Sequence, residues 1–88
     1  TDTAFETFSA PEYGIRAAAK LVTNYSNAGL DTVSKIIGKW APTNENDTQN
    51  YINIVASRMN IDPNKKIDVK DPKIMENLLS AMAFVENG

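Results

Sequence analysis

The segment Asp71-Pro72-Lys73-Ile74-Met75-Glu76-Asn77-Leu78-Leu79-Ser80-Ala81-Met82-Ala83-Phe84-Val85-Glu86 decides the fold. Its Ile74, Met75, Leu78, Leu79, Met82 and Val85 recur at helical spacing and trace one apolar stripe, the mark of a helix that buries one face. Asp71 can cap it, and Pro72 suits the first turn because its missing N–H would have no partner there. A helix over residues 72–86 follows.

Working back, Tyr51, Ile52, Val55, Ala56 and Met59 form a second stripe, interrupted from Asn60 to Pro63. It predicts a helix over 47–59, with its cap near Asn46 or Asp47. Asp31 can cap a shorter helix over 31–40 whose apolar positions are Val33, Ile36, Ile37 and Trp40, stopped by Ala41-Pro42 because the residue before a proline disfavours helical geometry. Gly38 inside it is costly relative to alanine by about 1 kcal/mol, which suggests close approach by another backbone.

Near the N-terminus, Ser9 with Glu12 reads as a capping box, and Phe8 as a staple onto Tyr13. Ile15, Ala18, Ala19, Val22 and Tyr25 then continue a helix over 10–28 that ends in a left-handed stop at Asn27-Ala28-Gly29. Phe5 and Phe8 bracket an extended segment expected to cover the core. The expectation is an all-α fold, a compact bundle of about four helices in one domain spanning 1–88. Lys65 to Val69 is a connector with two aliphatics that look buried, Ile67 and Val69.

Composition limits the chemistry. The 88 residues are 42% hydrophobic and 23% charged, enough apolar surface for one modest core. Cores of this size typically leave about 3–5 kcal/mol of net stability. Cysteine and histidine are both absent, which excludes the usual zinc sites, Cys-His and Ser-His-Asp catalysis, and imidazole bases. No cofactor is implied. The nine basic residues are scattered and the net charge is -2, so no concentrated positive field points to nucleic acid. The apolar runs are too short to insert into a membrane.

Among the acids, Glu86 stands out because it closes the most apolar helix. A carboxyl at the edge of an apolar face can be raised in pKa and serve as a general acid. The plainer reading is a solvated residue in a last helical turn. Asn44, Glu45, Asn46, Asp47 and Thr48 concentrate polar groups that could bind a sugar or peptide, with Glu45 and Asp47 as candidate partners of Glu86 across a cleft. Glycosidase carboxyls stand roughly 5–10 Å apart. Helix capping explains the same residues without catalysis. Trp40 and Tyr51 flank this loop and could stack on a sugar, although their places on apolar stripes suit core packing as well. A helix-turn-helix is rejected: the connection from Trp40 to Tyr51 is long, and Arg58 is the lone base of the would-be recognition helix. Lys65-Lys66 reads as a solvated turn. Asp62, Asp68 and Asp71 lack EF-hand spacing, so no metal is expected.

Phe5, Phe8, Pro11-Glu12-Tyr13-Gly14-Ile15-Arg16-Ala17, Tyr25, Gly29-Leu30-Asp31-Thr32-Val33, Ile36-Ile37, Lys39-Trp40-Ala41-Pro42, Glu45-Asn46-Asp47-Thr48, Tyr51-Ile52 and Glu86-Asn87-Gly88 together resemble a family of small phage and prophage virion proteins. The resemblance covers nearly the whole chain, and Trp-Ala-Pro followed by Glu-Asn-Asp-Thr is its most specific part. Family members usually carry an upstream segment reading Asn-Asn-Pro-Gly-Asn-Ile, so an N-terminal segment is expected to be missing here. A shorter stretch, Ala83-Phe84-Val85-Glu86-Asn87-Gly88, is similar to the helix end of lysozyme-like lytic transglycosylases, where a catalytic Glu precedes Ser-Gly; Asn87 replaces that Ser. The first helix also looks like that of peptidoglycan glucosaminidases. These resemblances imply a lysozyme-like setting for the bundle, a virion location (or the bacterial cytoplasm when prophage-encoded), and either peptidoglycan or other virion proteins as partners. In the catalytic version Glu86 protonates the glycosidic oxygen while Glu45 or Asp47 assists, and Asn44, Asn46, Trp40 and Tyr51 bind the glycan. The alternative is a non-enzymatic structural or adaptor module.

Overall fold

The computed structural model describes residues 11–41 and 45–87, and the side chains of 14–41 and 47–87 among them. Four helices follow in order: α1 (Pro11–Asn27), α2 (Val33–Trp40), α3 (Glu45–Met59) and α4 (Pro72–Asn87). The described residues form no strand beyond an isolated antiparallel bridge between Thr32 and Lys66. α2, α3 and α4 pack most closely on their neighbours in sequence, and α1 packs equally on α2 and α4, which closes an all-α bundle.

The stripes read from the sequence supply the core. Val33, Ile36, Ile37 and Trp40 of α2 are all buried, as an eight-residue helix requires, since so short a helix is marginal without tertiary packing. Tyr51, Ile52, Val55 and Ala56 of α3 join Leu78, Leu79, Ala81 and Met82 of α4, with Ala18 and Val22 from α1. Burying an aliphatic side chain as fully as Ile36, Leu78 or Val55 contributes about 1.5–3 kcal/mol. Two stripe members depart: Ile15 is 54% exposed, and Ile74 is half-buried and stays outside the core cluster.

Two helices end in the same backbone device. At the end of α1, Leu30 N donates to Tyr25 O (2.9 Å) and Gly29 N to Ser26 O (3.0 Å), with Gly29 at φ +95. At the end of α3, Ile61 N donates to Ala56 O (3.1 Å) and Asn60 N to Ser57 O (3.1 Å), with Asn60 at φ 57. Both are Schellman motifs, in which a left-handed residue turns the chain so that the last carbonyls regain donors. Glycine and asparagine are the residues that tolerate that conformation.

Several local expectations change. The cap of α2 is Thr32, whose side chain accepts from Lys35 N at 3.1 Å, and not Asp31. Asp31 instead lies 4.0 Å from both Lys35 and Lys66. Beyond its own helix, nothing lies within 4 Å of where a Gly38 side chain would start, so no backbone of another element approaches there. α3 starts at Glu45, which puts Asn46 and Asp47 inside the helix and leaves a short connection after Trp40. The long connection used against a helix-turn-helix is therefore absent, although Arg58 remains the one basic residue of α3. Asp71 caps α4 as expected, accepting from Lys73 N at 2.9 Å. The Ser9–Glu12 box, the Phe8 staple and the Phe5–Phe8 cover lie outside the described residues.

The connector from Asn60 to Asp71 is strapped down rather than loose. Ser34 N donates to Pro63 O and Ile67 N to Asp31 O, both at 2.9 Å, while Val69 is buried and Ile67 packs on the core. This fixes where α4 begins, and so the height at which its far end meets α2 and α3.

Truncating Leu78, which is fully buried, to alanine lowers the unfolding free energy by about 2–5 kcal/mol. Ile54→Ala, at a position 38% exposed, changes it by less than about 0.5 kcal/mol. Urea unfolding followed by circular dichroism measures both.

Candidate functional site

Three of the residues singled out from the sequence meet at one end of the bundle. Trp40 closes α2, Tyr51 lies in the second turn of α3, and Glu86 is in the last turn of α4. The Tyr51 hydroxyl donates to Glu86 Oε2 at 2.9 Å, and Trp40 Nε1 donates to the same oxygen at 3.3 Å. One turn before Tyr51, the Thr48 hydroxyl donates to Ala41 O at 2.7 Å and ties the start of α3 to the end of α2.

The arrangement follows from what each group requires. Trp40 is 3% exposed and Tyr51 7%, and a buried indole N–H or phenol O–H needs an acceptor. Glu86 provides it from a place where a carboxylate is otherwise unfavourable, because the carbonyl end of a helix carries partial negative charge. Two donors on one oxygen offset that. Among the described residues no buried side-chain polar atom lacks a hydrogen-bond partner.

Burial, the charge of Glu86 and the hydrogen bond to it all hold the Tyr51 phenol well above the ordinary 10.0, with Trp40 acting in the opposite direction. Burial alone raises Tyr25.

The other candidates are less engaged with this cluster. Asp47 is exposed on α3, one turn before Tyr51. Asn44, and the side chains of Glu45 and Asn46, lie outside the described residues. Asp62, Asp68 and Asp71 each accept from the backbone N–H two residues on, at 2.8–3.0 Å, so they shape turns. No three acids among the described residues are grouped to hold a metal ion. No described helix is long and apolar enough to cross a membrane.

Two features were not anticipated. Arg58 lies over the Phe84 ring, 3.7 Å from its centroid, a cation–π contact between α3 and α4 worth about 0.5–1 kcal/mol at an exposed site. Residues so far apart in the chain carry no pairing signal in one sequence. The second is a groove of about 620 Å³ between α1 and α4, floored by Met75, Leu79 and Ala83 and edged by Ile15, Pro72, Glu76 and Ser80. Its sequence signal is Ile15, an apolar side chain at helical spacing that the core does not take in. Glu86 does not line it.

The chain is similar to Protein P5 of Pseudoalteromonas phage PM2, with 42% identity over 88 residues. The match takes in 99% of this chain and 53% of that protein, so the chain spans about half the length of this relative. No protein-family model matches it, and neither does any solved structure. Likeness to a phage protein agrees with the first resemblance drawn from the sequence. Nothing in it bears on the lysozyme-like one.

Tyr51 also sets a pH dependence. Because its pKa is raised in the folded chain, its contribution to stability is complete below the unfolded value of 10.0 and declines as pH rises beyond it. Stability should therefore fall above about pH 10, and Tyr51→Phe should reduce that slope, leaving the smaller part due to Tyr25. Denaturation midpoints from pH 8 to 11 check the sign: an unchanged slope in the Phe variant removes the Tyr51 assignment.

Proposed function

We propose that this chain is a non-enzymatic structural or adaptor module of a phage particle, working through protein–protein contacts. The observation that carries the reading is the use of Glu86: its Oε2 holds Tyr51 and Trp40, and through them the ends of α2 and α3. A general acid must present its proton to a substrate oxygen. Here the candidate acid accepts hydrogen bonds from two core side chains instead. Trp40 and Tyr51, the candidate sugar platform, have their rings in the core. The similarity to a phage protein and the exposed apolar groove between α1 and α4 support the same reading.

Peptidoglycan binding or cleavage is the competing proposal. It requires Glu86 to give up Trp40 and Tyr51 and to act beside Glu45 or Asp47, with a glycan held by Asn44 and Asn46. The two readings part on one substitution. Glu86→Gln should leave cell-wall turbidity unchanged, as should the wild-type chain, while lowering the unfolding free energy by about 1–3 kcal/mol through its weakened acceptor. In gradient-purified particles from an induced host, a tagged chain should travel with the particles at fixed stoichiometry. Clearing of the wall by wild type and not by Glu86→Gln, or a chain found wholly outside particles, overturns the structural reading.

A further inference from the structure

The groove between α1 and α4 has a knob beside its hole. Ile15 stands at its edge, 54% exposed, and the floor of Met75, Leu79 and Ala83 lies next to it. Such a surface is self-complementary: a two-fold rotation can seat the Ile15 of each copy in the groove of the other, the one-patch geometry of a closed dimer.

The charges at the rim favour the same occupant. Glu76 edges the groove, and Arg16 follows Ile15 on the exposed side of α1. Neither has an ion-pair partner among the described residues, whose ion pairs both involve Asp31. When Ile15 of one copy enters the groove of the other, Arg16 is carried toward the opposing Glu76, and the two-fold makes that pairing twice. An acid on the hole and a base beside the knob give the surface charge complementarity with itself.

We propose that the α1–α4 groove is the interface of a symmetric homodimer, with Ile15 inserted between Met75, Leu79 and Ala83 of the second copy and Arg16 paired with its Glu76. This deepens the structural reading and rests on it for its role in the particle, but the two fail separately: a monomeric chain present in particles overturns the dimer alone.

Sedimentation equilibrium of the 88-residue chain over micromolar to millimolar concentration should show a monomer–dimer equilibrium. Ile15→Asp, which places a charge in an apolar groove, should weaken dimerisation by more than about a hundredfold. Arg16→Glu and Glu76→Arg should each weaken it by about tenfold, and the double reversal should recover most of the loss. Circular dichroism confirms that each variant folds; Ile15→Ala replaces Ile15→Asp if the latter does not. A monomer at every concentration overturns the proposal, whether the groove then takes an acyl chain, another protein or nothing. A dimer that survives loss of the Ile15 side chain overturns it as well.

Discussion

One carboxylate oxygen joins three helices. Glu86 Oε2 receives the Tyr51 hydroxyl and the Trp40 indole, and both donors belong to side chains buried in the core. The cost of leaving a buried donor unpaired is about 1–3 kcal/mol, more than a typical hydrogen bond contributes in net terms. The cluster therefore matters chiefly through what its loss would expose. It also sets geometry, because the end of α4 must stop at the level where α2 ends and α3 completes its second turn.

That level is fixed from the other direction by the connector. Its backbone bonds to Asp31 O and from Ser34 N, and the buried Val69, hold the chain before Asp71 against the start of α2. α4 is thus registered at both ends against the same short helix, by backbone hydrogen bonds at its beginning and side-chain hydrogen bonds at its close. An eight-residue helix could not hold its place alone. Its four buried residues and these two attachments make it the part on which the others align.

Most of the fold was legible because it depends on periodicity. The stripes of α2 and α3 predicted most of their buried residues, that of α4 predicted Leu78, Leu79 and Met82 but not Ala81, and the Asp71-Pro72 start and the Gly29 stop were read from residue types with narrow conformational preferences. Choices between neighbouring residues were less legible. Asp31 and Thr32 are both good caps, and the ion pairs with Lys35 and Lys66 that engage Asp31 depend partly on a connector distant in sequence. Ile15 carried the spacing of a core residue but lies on the flank of α1 toward the groove, a rotation that only packing decides. In the candidate site, Trp40, Tyr51 and Glu86 were each identified, while their mutual bonding was not. The missed step was a count of donors: two aromatic residues with polar tips on buried stripes call for an acceptor, and a terminal glutamate on an apolar helix is well placed to be one.

The difference between an acid in a site and an acid in a structure lies in which groups face it. Catalytic carboxyls are shifted and oriented by surroundings that also leave room for a reacting atom within hydrogen-bond reach. Glu86 has its reach taken up on one oxygen by side chains that belong to the core, while the groove between α1 and α4 lies elsewhere among the described residues, over an apolar floor with one acid at its edge. Separation of the polar cluster from the exposed apolar surface assigns cohesion to the first and contact to the second. In the proposed structural role the α1–α4 face is the contact surface, and the bonds between Glu86, Trp40 and Tyr51 serve the fold.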